Sequence, residues 1–148
     1  MKIRPAKLKD LKEYLSILLE AFPKQKRKAH EILFKERVNK KEGIILEEKD
    51  EIIGFATFSN YISPPFKHSL YVEEFVIKKS FINKRYGSFL LKNLIQEAKR
   101  LKKKRIMLDT TNKRKNKAIK FYTKNSFKKV GKIKTTFGNK IFMEREIK

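Results

Sequence analysis

The sequence predicts a mixed α/β (α+β) fold, a splayed β-sheet flanked by helices in the element order βααβββαβαββ. Three observations carry this. Strand-like runs stand early and late in the chain, with helix-periodic segments between them. A strand-like segment from Tyr71 to Ile77 passes through a polar, basic turn into an amphipathic helix starting near Tyr86. A second short apolar run, Arg105 to Asp109, follows that helix at the separation a right-handed crossover needs. Leu70–Ile77 and Arg105–Asp109 are therefore expected to be parallel sheet neighbours.

Taken in order, Lys2 to Pro5 reads as a short first strand. From Leu8, the residues Leu11, Tyr14 or Leu15, Leu18 and Phe22 recur at helical spacing, and Asp10 favours the positive end of the helix dipole. Pro23 ends that helix or opens the next. Lys24 to Lys41 reads as a second helix with Ile32, Leu33 and Val38 inward. Gly43–Glu48 and Ile52–Tyr61 read as strands joined at a Lys49-Asp50 hairpin tip, and Ser63-Pro64-Pro65 marks a loop. Leu70–Ile77 is the next strand. The helix from Tyr86 to about Lys102 carries Phe89 or Leu90, Leu94, Ala98 and Leu101 on one stripe. Arg105–Asp109 is a buried-type strand. Lys115–Asn125 is a helix with Ala118, Ile119, Phe121 and Tyr122 inward. Phe127–Thr135 and Lys140–Ile147 close the chain as a hairpin across Gly138-Asn139.

Composition narrows the function classes. With 148 residues, 40% of them hydrophobic, residues 1–148 are expected to form a single domain without linker or repeat. No run of eighteen apolar residues exists, so no membrane partner is expected. The opening MKIRPAKLKD lacks the apolar core of a signal peptide, and a cytoplasmic location is the expectation. The chain has no Cys, which excludes disulfides, thiolate metal sites and a Cys nucleophile. His30 and His68 lack ligand spacing, read as incidental, and no metal is expected. The 39 basic residues against 16 acidic ones give +23. Eight are Arg and 31 are Lys. That balance suits general attraction to polyanions more than forked reading of bases. The runs Lys102–Arg105, Lys113–Lys117 and Lys128-Lys129 read as solvated faces or a polyanion surface, with no aromatic stacking platform among them.

Three segments carry chemistry. In YVEEFVIKKSFINKRYGSFLL, Tyr71 to Leu91, Gly87 lies in the first turn of the helix, where unpaired backbone N–H groups and the dipole suit a phosphate, and Lys84 and Arg85 lie beside it. The second is AIKFYTKNSF, Ala118 to Phe127; the third is IGFATFSNYISPPFKHSLYVEEFVI, Ile53 to Ile77. Together they resemble the GNAT superfamily of acetyl-CoA-dependent N-acetyltransferases over nearly the whole chain. The third is similar to the spermidine/spermine (diamine) acetyltransferase branch in particular. In the phosphate loop Ile82 stands where the family has Arg or Gln, Arg85 where it has its first Gly, and Gly87 fits the last position. Ser126 stands where the family has Gly before the final Phe, and Asn116 lies one place after the family's usual Asn.

The resemblance implies an acetyl-CoA cosubstrate and a primary-amine acceptor, small molecule or protein, and leaves a homodimer open. It implies that backbone groups of Phe75, Val76 and Ile77 pair with the pantetheine arm, that Ile82, Asn83, Lys84, Arg85, Tyr86, Gly87 and Ser88 hold the pyrophosphate, and that Asn116 contributes to the cofactor site. Glu73 is implied as general base through water, because an alkylammonium has no lone pair until it loses a proton. Tyr122 is implied as the acid that protonates the departing thiolate; a core tyrosine is its other reading. Adjacent strand residues point to opposite faces, so Glu73 and Glu74 are not expected to share a side. A left-handed backbone at Arg85 would cost about a kcal/mol or more. The basic turn Lys24–Lys28, in place of an acidic stretch, points to an amine on an acidic or phosphate-bearing partner over a free polyamine. The rival class is a GNAT-shaped basic module that binds RNA, DNA or the ribosome with little catalysis.

Overall fold

The computed structural model describes residues 1–82, 84–111, 117–136 and 138–148. Its elements are β1 (Lys2–Pro5), a 3-10 turn (Leu8–Asp10), α1 (Leu11–Ala21), α2 (Arg27–Asn39), β2 (Gly43–Glu48), β3 (Glu51–Asn60), β4 (Ser69–Ile77), a 3-10 turn (Lys79–Phe81), α3 (Tyr86–Arg100), β5 (Arg105–Thr111), α4 (Lys117–Lys124), β6 (Lys128–Thr135) and β7 (Gly138–Glu146). Apart from the two short turns, the order is the one the sequence predicts. The strands form one seven-stranded mixed sheet in the order β1-β2-β3-β4-β5-β7-β6. β4 and β5 run parallel, as expected, through the pairs Ser69↔Arg105, Leu70↔Ile106 and Tyr71↔Met107. Two compact units divide the chain: Met1–Ser59 with Glu73–Glu97, and Asn60–Val72 with Ala98–Lys148.

The first unit packs α1 and α2 against its strands. Tyr14, Leu15, Ile17 and Leu18 of α1 and Phe34 of α2 meet Ile45, Phe55 and Val76 in one apolar cluster. Tyr14 stacks on Phe34 with ring centroids 4.3 Å apart and touches Phe55 at 4.6 Å. That stack sets the rotation of α2. Phe34 is buried and Val38 packs on the cluster, but Ile32 and Leu33, expected inward, are 61% and 41% exposed. At about 100° per residue, a helix that aims Phe34 at Tyr14 turns its two preceding residues away. Lys49 and Asp50 form the expected hairpin tip with φ of +51° and +64°, the left-handed pair a two-residue turn requires.

The second unit is built on long antiparallel ladders. β5 pairs with β7 from Arg105↔Glu146 to Thr111↔Lys140, and β6 pairs with β7 outside it. The closing hairpin turns earlier than the sequence suggests. Gly138 and Asn139, expected at the tip, already belong to β7, opposite Thr135 and Lys134. Gly138 takes φ +106°, and its carbonyl accepts the Thr135 hydroxyl at 2.6 Å, so the glycine starts the return strand instead of forming the turn. The end of α4 is tied by two bonds, Phe127 N–H to the Tyr122 carbonyl at 3.0 Å and Ser126 N–H to the Thr123 carbonyl at 3.2 Å. With Ser126 at φ +70° and the Tyr122 and Phe127 rings 5.3 Å apart, this is a Schellman cap with its apolar contact. α2 and α3 end in the same way on Lys41 (φ +59°) and Lys102 (φ +58°).

Candidate active site

Polar residues at core-facing positions of β3 organise the acidic pair of β4. Thr57 and Ser59 lie two apart on β3, on one face, and are buried. The Thr57 hydroxyl donates to Glu74 at 2.9 Å and the Ser59 hydroxyl to Glu73 at 2.7 Å. Both carboxylates therefore reach the side covered by α1 and α2, which corrects the expectation of opposite faces. Alternation fixes the direction of a Cβ, and a three-atom glutamate stem reaches round to whatever donors the neighbouring strand and helix supply.

The two carboxylates differ in access. Glu74 accepts the Tyr14 hydroxyl on both oxygens at 2.8 Å and lies 3.1 Å from His30 Nδ1, with its side chain 16% exposed. Burial first, then the Glu74 charge, pushes the Tyr14 hydroxyl far above the ordinary tyrosine range, so it stays a donor. His30, read from sequence as incidental, is thus part of this network, and its Nε2 lies 2.9 Å from Gln25 Oε1. Glu73 has fewer partners: besides Ser59, Arg37 Nη2 lies 3.7 Å away, while Arg37 Nη1 holds Glu42 at 3.0 Å. The Glu73 side chain is 33% exposed. Sequence reasoning missed Tyr14, His30, Arg37, Thr57 and Ser59. The available signal was the pair Thr57 and Ser59 continuing the inward register of Ile53 and Phe55.

Downstream, Val76 is buried in the apolar cluster, and Phe75 and Ile77 are half-buried. Gly54 sits so close to this stretch that a Cβ there would lie 2.6 Å from the Val76 carbonyl oxygen and 2.8 Å from the Ile77 side chain. The Lys78 N–H donates to the Ile53 carbonyl at 2.7 Å and fixes the end of β4. Beyond it, Ile82, Lys84 and Arg85 are exposed, and Gly87 and Ser88 follow in the first turn of α3. Arg85 takes φ +65° and its carbonyl accepts the Phe89 N–H at 3.2 Å. The left-handed backbone is present at the position the phosphate signature gives to glycine, now on a residue with a Cβ. The Tyr86 hydroxyl is committed to Glu48, and its ring packs edge-on against Phe81 at 5.4 Å. Asn83 and Asn116 lie outside the described residues.

In the second unit Tyr122 is buried on α4, its ring against Phe121 and Phe127. Burial pushes its hydroxyl well above the ordinary tyrosine range, so the phenol keeps its proton until a stronger base arrives. The Tyr71 hydroxyl donates to Asp109, which also pairs with Lys140 at 3.1 Å.

A family model described as the Acetyltransferase (GNAT) family matches residues 11–127. The chain belongs to the GNAT family. It is accordingly an N-acetyltransferase. Solved structures agree on the fold. An N-acetyltransferase from Staphylococcus aureus Mu50 superposes with a TM-score of 0.84 at 24% identity, over 99% of this chain and 98% of that one. The Salmonella typhimurium protein yncA, solved with its cofactor acetyl-CoA, gives 0.82 at 18% identity over 100% and 94%. The aminoglycoside 6′-N-acetyltransferase from Enterococcus faecium gives 0.82 at 17% over 100% and 98%. No curated protein sequence matches the chain.

The donor set of this GNAT chain fits the diphosphate of acetyl-CoA. The opening N–H groups of α3 have no partner within the helix, which leaves them for an anion, and the exposed Lys84 and Arg85 add positive charge at the same end. Among the described residues no helix is long and apolar enough to cross a membrane, and no cluster of three metal-ligating side chains occurs.

Proposed function

We propose that residues 1–148 act as a single acetyltransferase domain that moves an acetyl group to a primary amine, with Glu73 as general base and Tyr122 as general acid. The observation that carries this reading is the contrast within the acidic pair. Glu74 is closed in by Tyr14, Thr57 and His30, whereas Glu73 keeps a third of its side chain open. Acetyl-CoA supplies an activated acetyl thioester. Glu73, through water, takes the proton that makes the acceptor ammonium a nucleophilic amine. The amine lone pair then forms the new C–N bond as the C–S bond breaks. Tyr122, kept protonated by burial, gives its proton to the departing sulfur. Phe75, Val76 and Ile77 would pair through their backbone with the pantetheine arm. The exposed segment from Ile82, with Lys84, Arg85, Gly87 and Ser88, would hold the diphosphate, and Asn116 would complete the cofactor site.

The acceptor follows from charge. A chain at +23 repels free polycations, and Lys24 and Lys26 in the turn before α2 are followed by Arg27 and Lys28 at its start. An amine on an acidic or phosphate-bearing molecule is favoured over spermidine, so the resemblance to the diamine branch extends to Glu73 and not to the substrate. The test is steady-state kinetics with acetyl-CoA, supported by calorimetry. Glu73→Gln is expected to lower kcat/KM most at low pH, with acetyl-CoA affinity unchanged. A wild-type pH profile in that variant would remove Glu73 from the role. Spermidine as the preferred acceptor, without penalty at low salt, would overturn the acceptor class.

A further inference from the structure

We propose that the end of the second unit's sheet that carries the loop from Tyr61 to His68 binds single-stranded nucleic acid, a function separate from acetyl transfer. Charge is the first observation. Asn60–Val72 with Ala98–Lys148 contain twenty basic and three acidic residues, a balance of +17; the other unit has nineteen and thirteen, a balance of +6. The difference arises more from missing acids than from extra lysines. A general compositional preference for lysine leaves that depletion unexplained.

The second observation is how the loop is held. Lys103 is 7% exposed, and its ammonium donates to the carbonyls of Tyr61 and Lys67, both at 2.8 Å. The N–H groups of Lys104 and Arg105 both donate to the His68 carbonyl, at 2.8 and 3.3 Å. Burial lowers the affinity of Lys103 for its proton. Burying an ammonium among carbonyls, with no carboxylate beside it among the described residues, is costly, and a loop that only joined two strands would not require it. The effect is to fix the loop with its apolar residues outward. Tyr61 and Phe66 are 44% and 51% exposed, with ring centroids 5.8 Å apart, and Ile62 between them is 83% exposed. These rings are the aromatic platform that the sequence reading did not find, because it looked inside the lysine runs and the platform lies in the loop beside one of them.

The third observation is what surrounds the rings. His68 is held below the usual imidazole range, first by lost hydration and then by Lys104, Lys67, Arg105 and Lys103, all of one sign. Sheet register extends the positive band. Met107 of β5 pairs with Glu144 of β7, and Glu144 with Lys128 of β6, so the exposed Lys128 and Lys129 lie at the same end of the sheet as Arg105. β6 stands three strands from β4, about 14 Å at the usual strand spacing. Two acids lie within this band: Glu144, 3.9 Å from Arg105 and 4.0 Å from Lys128, and the exposed Glu146, opposite Arg105 in the β5–β7 register. Flat apolar faces beside a band of point charges suit a linear polyanion with unpaired bases. The bases would stack on Tyr61 and Phe66, and the phosphates would follow the lysines. A duplex hides its bases from the rings, and an acidic peptide offers them nothing to stack.

The experiment is fluorescence anisotropy of the full chain with a labelled oligothymidylate of about 12 nucleotides, between about 50 and 200 mM salt. Binding is expected to weaken as salt rises. Replacing Tyr61 and Phe66 together by Ala should weaken it about tenfold or more, with the salt slope and acetyl-CoA affinity unchanged. Phe66→Leu keeps the apolar bulk without the ring and should also weaken binding. Lys67→Gln and Lys104→Gln should each lower the salt slope by roughly 0.7. Equal affinity for a duplex of the same sequence would overturn the proposal. So would ring variants that bind like the parent, or displacement of the oligonucleotide by polyglutamate or phosphatidylserine vesicles at matched charge.

Discussion

The two units carry charge in opposite ways. In the first, many of the acids are closed into pairs with bases. Arg4 forks onto Asp10 with two bonds of 2.8 Å and reaches Glu47 at 3.1 Å; Arg37 links Glu42 and Glu73; Lys40 meets Glu36 and Lys78 meets Glu51. In the second unit Asp109, Glu144 and Glu146 face twenty cations. The single figure of +23 therefore hides a unit where acids and bases cross-link the fold and a unit where twenty cations stand against three acids. A closed pair is part of the structure; an open cation is an offer to a partner.

The largest expected effect tests the closed side. Arg4→Met leaves Asp10, 3% exposed, without its guanidinium and is expected to cost about 3–5 kcal/mol in chemical denaturation. Lys140→Met, which removes a half-exposed partner of Asp109, is expected to cost about 0–1 kcal/mol. Equal losses would erase the distinction. The same pair predicts acid sensitivity. Burial alone would raise the Asp10 carboxyl, but the Arg4 bonds and the Lys7 amide hold it below the ordinary range. The pair's contribution is thus present above the unfolded carboxylate pKa and is lost as pH falls through the lowered native value. Asp10→Asn should flatten that limb of the stability profile.

Next in size is the buried phenol of the second unit, a neutral group packed against the rings of Phe121 and Phe127. Tyr122→Phe is expected to lower turnover by about 10²-fold with acetyl-CoA affinity kept. Full turnover would return Tyr122 to a packing role. A third change sharpens the account of the first unit, where two strands meet too closely for a side chain. Gly54→Ala must displace the backbone at Val76 and is expected to cost about 1–3 kcal/mol. Acetyl-CoA binding should weaken with it, because the proposed pantetheine strand would move. The smallest effect compares the units at one shared feature. Arg85→Gly in the first and Ser126→Gly in the second are each expected to stabilise by about 0.5–1 kcal/mol, read as a rise in Tm, by relieving a left-handed residue that carries a Cβ.

Element order, the parallel β4–β5 pair and the two-residue tip at Lys49-Asp50 were legible because hydrophobic period and turn chemistry are local. The rotation of α2 was not, since it depends on Phe34 finding Tyr14, a contact across twenty residues. Gly138-Asn139 misled because the same dipeptide serves a turn or a strand start, and pairing decides between them. At the candidate site, Glu73 and Tyr122 are candidates through family resemblance alone. Their environments were not legible: the Tyr14–Glu74 bond joins residues sixty positions apart. Arg85 and Ser126 were legible as departures from glycine, and both hold the backbone that glycine would have taken.

The helix ends at Lys41, Lys102 and Ser126 extend that last point to temperature. A chain with five glycines stops these helices on residues that resist the left-handed turn. Such residues have fewer conformations to lose from the unfolded chain than glycine has. The strain is largely an energy and changes little with heat, whereas the saved entropy is multiplied by temperature. The advantage of glycine at these caps should therefore shrink as the protein warms, so lysine and serine there sacrifice least where unfolding is closest.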